Sequence, residues 1–212
     1  MVDKKTTSAR PPSRKFGRRG QTRPSSHNNG SRDGNSRSTT NRRNTTRRTK
    51  TFTAPNGEAV RVIVLGGLEE VGRNCTLIEY KNDIVVIDMG LQFPLEDMPG
   101  VDYIIPNMSY LRGKEKNVRG VVITHGHYDH IGAIPHTVPK IGNPPVYALP
   151  IAAGIIKRRQ EDYKQSKITL KTITAKDELQ LGVFKVHFFH INHNIPDSVG
   201  IVVETPAGII CH

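Results

Sequence analysis

The sequence predicts an α/β protein in which two sheets pack face to face with helices on the outside, preceded by a disordered basic tail. Three observations predict it. Short Val- and Ile-rich runs dominate residues 53–212, and the few helical stretches fall between them. Nearly all the net charge lies in the first 50 residues. One buried run, 118–124, ends in a stretch crowded with histidines, as a strand does when its following loop carries a functional site. The domain division is therefore 1–52 for the tail and 53–212 for the folded part.

Residues 1–50 hold 15 Lys/Arg and 2 Asp/Glu, leaving 16 basic and 17 acidic of the chain's 31 and 19 for the rest. The basic character belongs to the tail, and the folded part is close to neutral. Residues 1–50 are rich in Ser, Thr, Asn, Gly and Arg, and Phe16 is their only aromatic. They cannot bury enough apolar surface to offset the entropy of ordering. A solvated, solubilising tail is the plain reading. An arm for phosphate backbones is favoured over it, with Arg42, Arg43, Arg47 and Arg48 as candidate contacts, because Lys and Arg release condensed counterions whatever the sequence. A transit peptide is disfavoured, since no apolar stripe accompanies the arginines. No apolar run approaches the roughly 18–20 residues of a membrane span. Cys75 and Cys211 sit in apolar stretches and read as buried thiols without a disulfide framework. The expected setting is cytoplasmic.

Strands are expected at 60–65, 75–80, 84–88 and 118–124, with a hairpin turning at Lys81, Asn82 and Asp83. Gly66, Gly67 and Gly72 mark a loop after the first strand. A short helix is expected over 131–138, made irregular by Pro135. A strand at 146–149 precedes a helix that Pro150 opens and that runs to about Ser166. Ile151, Ile155 and Ile156 are expected to form its inner face, opposite Lys157, Arg158 and Arg159. Later strands are expected at 168–173, 184–192, 199–204 and 209–212.

The chemistry concentrates in THGHYDHIG, residues 124–132. In an extended segment His125 and His127 project to the same side. Asp129 and His130 follow as the chain turns, and can reach a second point nearby. The spacing supplies ligands for two adjacent metal positions, with imidazole and carboxylate suited to zinc or manganese. A lone histidine is usually a hydrogen-bonded loop residue. Four such residues at this spacing arise by chance in on the order of one chain in ten thousand. Among the later histidines, spacing does not choose between His187, His190 and His193, because all lie on or after one strand. His136 reads as an ordinary loop or helix-end residue.

H-x-H-x-D-H after an apolar strand resembles the signature of the metallo-β-lactamase fold. VLGGLEEVGRNCTLIEY, IVVIDMGLQFP and HNIPDSVGIVVETPAG narrow the resemblance to the ribonuclease J family of its β-CASP branch, from about Arg61 to His212. The resemblance implies an αββα sandwich, incomplete at the C-terminus, holding two divalent cations, zinc first and manganese second. It selects His193 to join His125 and His127 at one metal. Asp129 and His130 serve the other metal and are the expected catalytic pair. Asp88 falls on the family's first motif and is expected to orient a ligand histidine without touching metal.

The implied activity is 5′-to-3′ exonucleolytic and endonucleolytic cleavage of RNA. The implied assembly is a homodimer or homotetramer of the full-length form, with RNA-decay partners. On this resemblance the bridging aspartate and the β-CASP domain would lie past His212, which itself reads as no ligand. The chain alone is expected to have little activity. Two alternatives remain: a metallo-hydrolase of a thioester or lactone, since a fold does not fix a function, and a non-catalytic RNA-binding module acting through the tail.

Overall fold

A computed structural model describes residues 58–212; the basic tail, the four candidate arginines Arg42, Arg43, Arg47 and Arg48, and the boundary at 52/53 lie outside them. The first sheet has six strands in chain order: β1 (Arg61–Gly66), β2 (Cys75–Tyr80), β3 (Asp83–Ile87), β4 (Val118–Val122), β5 (Val146–Ala148) and β6 (Leu170–Thr172). β1 to β3 are antiparallel, and β3 to β6 run parallel. The second sheet, ordered β10-β9-β8-β7, is antiparallel throughout: β7 (Leu179–Leu181), β8 (Phe184–His190), β9 (Val199–Thr205) and β10 (Gly208–Cys211). The helices are α1 (Tyr128–Ile131), α2 (Ile134–Thr137) and α3 (Pro150–Gln160).

Every residue of β2 and β3 is buried. The apolar residues of CTLIEY and DIVVI fill the layers on both faces, while the buried carboxylates Glu79 and Asp83 are paired with Lys114 and Arg119. One face of the first sheet packs Leu77, Val86, Val121 and Val146 against Ile134, Val138, Ala152 and Ile156 of the helical side. The other face packs Ile78, Val85, Ile87 and Val122 against Phe184, Val186, Ile201 and Val203 of the second sheet. On the second sheet Lys185 and Glu204 alternate with these inward residues. Among the described residues no helix covers that outer face, so the helical cover is seen on the first sheet only.

Several local expectations change. The β2–β3 turn is tighter than expected: Asp83 pairs with Tyr80 inside the ladder, and Lys81 adopts φ +52°. The region 128–141 splits into α1, α2 and a 3-10 turn at Val138–Ile141, because Pro135 and Pro139 each sit at the start of a new element and lack the N–H to continue the one before. α3 ends at Gln160, whose side-chain amide donates to the carbonyls of Tyr163 and Ser166 beyond the helix. Its inner face is Ala152, Ala153, Ile156 and the partly buried Ile155; of the three expected isoleucines only Ile151 is exposed, and its N–H donates to Asp197 at 3.1 Å.

β7 escapes a sequence reading because only Leu181 of its three residues is buried. Cys75 is buried as expected, and burial pushes its thiol pKa well up. Cys211 is exposed instead, because on the edge strand β10 it is Ile210 that packs inward. No helix among the described residues is long and apolar enough to cross a membrane.

The topology fixes where chemistry can occur. β3 and β4 are parallel, so Asp88 and the segment Thr124–His130 leave the sheet at the same end. β9 starts at that end too, with Val199 N–H donating to the Thr124 carbonyl at 3.1 Å. The loop 191–198 is thereby drawn over the histidine stretch.

Candidate metal centre

His125 is buried, His127 half-buried and His193 exposed, and their ligand nitrogens all lie within 4.8 Å of one another. His127 Nδ1 is 3.1 Å from His125 Nε2 and 3.2 Å from His193 Nε2. Two imidazole nitrogens on one tetrahedral zinc are about 3.3 Å apart, from Zn–N bonds of about 2.0–2.1 Å. The donor set therefore fits a cation of that class in both chemistry and spacing.

Asp129 and His130 stand beside this trio. His130 Nε2 is 3.4 Å from Asp129 Oδ2, and the His125 and His130 rings are 4.0 Å apart. Asp88 is almost fully buried and adopts φ +60° as the chain leaves β3. Its Oδ1 accepts the Thr124 N–H at 2.8 Å, while Oδ2 accepts the Thr124 hydroxyl at 2.8 Å and faces His130 Nδ1 at 2.7 Å. Having given its proton to Asp88, the Thr124 oxygen can only accept from His125 Nδ1, 2.9 Å away. His125 then carries its lone pair on Nε2, which faces the other two histidines. One buried carboxylate thus orients His130 directly and His125 through Thr124.

The pKa shifts follow from this packing. His125 is lowered to about 4, by burial first, then by the neighbouring His130; Asp88 opposes the shift, and His127 and His193 add to it. For His130 burial is the largest influence and lowers the pKa, yet the bond to Asp88 and the charges of Asp88 and Asp129 together outweigh it and raise the value. An imidazole in an unfolded chain takes its proton near 6.5. Between pH 6.5 and about 4 the unfolded chain therefore binds more protons at His125 than the native one, and stability falls as pH drops through that window. With a chelator present, the urea midpoint of the native chain should fall across this range relative to that of His125→Gln. His130 is common to both proteins. A gap between them that does not change with pH would refute the assignment.

The other histidines lie elsewhere. His136 stacks on Tyr103, with ring centroids 4.5 Å apart. His187 is paired with Glu204 at 2.8 Å and Glu178 at 3.2 Å, and His190 with Asn192 at 3.2 Å. His212 pairs through its backbone with Ile201 and lines a cavity of about 260 Å³ together with His125 and His193. Sequence reasoning missed Thr124 and Asn74. The first is the quoted residue just before His125, with no charge to signal a role. The second reaches Asp129 from 55 positions away, donating through Nδ2 to its carbonyl at 3.0 Å and its carboxylate at 3.2 Å.

Residues 68–208 match the family model described as the Metallo-beta-lactamase superfamily. The chain is 40% identical over 152 residues to ribonuclease J of Mycoplasma genitalium, covering 71% of this chain and 26% of that protein. It is 43% identical over 154 residues to ribonuclease J 1 of Streptococcus pyogenes, covering 72% and 27%. The chain thus spans about a quarter of the length of the curated relatives it matches. Among solved structures, a protein of unknown function from Enterococcus faecalis superposes with a TM-score of 0.56 at 18% identity, covering 72% of this chain and 42% of that one. The metallo-beta-lactamase fold protein YhfI of Bacillus subtilis does so at 0.50 and 14%, covering 72% and 61%. At such identities these two likenesses concern the fold alone.

Proposed function

Because the chain belongs to the metallo-beta-lactamase superfamily, we propose that it forms part of a metal-dependent ribonuclease of the ribonuclease J type, cleaving RNA exonucleolytically from the 5′ end and endonucleolytically. The observation that carries this reading is the convergence of His125, His127 and His193 within 4.8 Å, beside Asp129 and an Asp88-bound His130. Identities of about 40% to proteins named ribonuclease J support RNA as the substrate.

In this reading His125, His127 and His193 hold one divalent cation, and Asp129 and His130 contribute to a second, zinc before manganese. When bound, such a pair supplies an activated water near neutral pH and positive charge against the scissile phosphate. The protein's part is to fix the ligands. Asp88 accepts from His130 Nδ1 and so turns Nε2 toward the site. Thr124 does the same for His125. The lowered pKa of His125 keeps that imidazole neutral, and so able to ligate, at physiological pH.

The test is cleavage of a 5′-monophosphorylated RNA by the zinc- or manganese-loaded chain. Slow cleavage is expected, abolished by a chelator and by His193→Ala. Hydrolysis of a thioester or lactone, with RNA left intact, would replace this reading with that of a small-molecule hydrolase.

A further inference from the structure

β1 and β2 are antiparallel neighbours, which a two-residue turn is able to join. The chain instead inserts the loop 67–74 and uses it to bring Asn74 beneath Asp129 and His130. The loop is held on itself by Arg73, whose guanidinium contacts both Glu70 carboxylate oxygens at 2.8 and 2.6 Å, and by the Gly67 N–H on Glu70 Oε1 at 3.2 Å. Two glycines clear the space. At Gly67, with φ +90°, an added Cβ would lie 2.2 Å from Asn74 Oδ1. At Gly90 it would lie 1.5 Å from the Asp129 carbonyl oxygen and 2.8 Å from Asn74 N. The backbone completes the seat: Asn74 N–H donates to the Asp129 carbonyl at 3.0 Å, and Gly90 N–H to the Asn74 carbonyl at 2.9 Å.

The carboxamide has one attractive orientation. Nδ2 is 3.0 Å from the Asp129 carbonyl, 3.2 Å from Asp129 Oδ2 and 3.2 Å from His130 Nε2. Turned over, Asn74 would set its oxygen against two Asp129 oxygens, acceptor against acceptor. A donor facing Nε2 requires a lone pair on that nitrogen. At the other end of the ring Asp88 takes the Nδ1 proton. From opposite sides Asp88 and Asn74 select the same tautomer, with hydrogen on Nδ1 and the lone pair on Nε2, which is the form that ligates a cation.

We propose that Asn74 is a positioning residue for a second cation, its carboxamide nitrogen setting the spacing of Asp129 Oδ2 and His130 Nε2 and the direction of the Nε2 lone pair. The inference rests on the reading of Asp129 and His130 as that cation's ligands, and not on RNA being the substrate. The bond to the Asp129 main-chain carbonyl involves neither ligand atom. Asn74 therefore keeps an anchor whichever way the ligand atoms turn.

Titration of the chain with cobalt(II), followed by visible absorption and chelator competition, should resolve a tight and a weak binding event. Asn74→Leu is close in volume but has no donors. It should weaken the weak event by about tenfold or more, and leave the tight one within about twofold. Asn74→Ser, which is smaller and polar, should do the same and covers the case in which the leucine variant fails to fold. Nitrogen-15 spectra of the His130 ring in the metal-free protein, recorded at a pH high enough for the ring to be neutral, should show the Nδ1–H tautomer in the native chain and a tautomer mixture in the variants. A role in packing alone would not produce that change. An unchanged weak event or an unchanged tautomer in a folded variant overturns the proposal, as does a single cobalt event in the native chain. RNA cleavage is scored separately: two-step cobalt binding without cleavage sinks the nuclease reading and leaves this one standing.

Discussion

Replacing His125 by alanine should strip the tightly held cation from the chain. Native protein purified with zinc or manganese should carry about one ion per chain at the three-histidine position, and His125→Ala less than about a tenth of that, because two imidazoles leave a four-coordinate ion half-liganded. The loss should exceed the roughly 10–100-fold that changes to supporting residues cause. Elemental analysis reads the result directly, and circular dichroism confirms that the variant remains folded. Folding should survive, because His125 contributes a polar ring at the end of β4 and not to either apolar layer. Equal metal content in native and variant protein would show that the ion, if any, sits elsewhere.

Gly90→Ala should be the most damaging single methyl group in the described chain. Its Cβ would stand 1.5 Å from the Asp129 carbonyl oxygen, 2.2 Å from the carbonyl carbon and 2.8 Å from Asn74 N, all of them main-chain atoms that cannot rotate aside. Relief requires moving the 128–133 segment away from the 88–92 segment. That breaks Met89 N–H to the His130 carbonyl at 2.7 Å and Leu91 N–H to the Tyr128 carbonyl at 3.1 Å. A cost of about 3 kcal/mol or more is expected from such overpacking, read as a fall in urea midpoint, together with weaker metal binding. Gly154→Ala is the internal control. It lies within α3, and an added Cβ there meets nothing within 4 Å. It should stabilise the chain by up to about 1 kcal/mol through helix propensity. Equal effects at the two glycines would refute the close-packing argument.

The parts of this molecule legible in its sequence are those written in local pattern. β2, β3 and β4 are short runs dominated by apolar and β-branched residues, and their burial on both faces keeps the polar interruptions few, at Thr76, Glu79, Asp83 and Arg119. The HGHYDH stretch is equally local. What was not legible depends on contacts between distant segments. Asn74 has an ordinary loop composition around it, and its role appears only when Gly67 and Gly90 let two loops close on Asp129. Thr124 has no signal until the buried Asp88 takes its hydroxyl proton and turns it into an acceptor. Spacing left His187, His190 and His193 equivalent, and a motif match was needed to choose among them. The structure separates them because β8 ends at His190, and the chain beyond it folds back through the Ile191 N–H on the Ser198 carbonyl. On α3 the expected inward Ile155 and Ile156 do meet the core, and only Ile151, in the first turn, faces outward, its backbone N–H held by Asp197 from a distant loop.

The two sheets are also separated in time. Strands β1 to β6 occupy one continuous stretch of chain and β7 to β10 the next, with no strand exchanged between them. A ribosome has therefore made the whole first sheet by Thr172, while the residues that cover its second face, Phe184 to Val203, are still to come. At about 5–20 residues per second that interval lasts roughly 2–6 s. Throughout it Ile78, Tyr80, Val85, Ile87 and Val122 face water on a nascent chain. The same interval delays the three-histidine cluster, whose last member arrives only with the covering sheet. A chain of this topology leaves one face of its first sheet uncovered for those seconds before it is able to gather its own ligands.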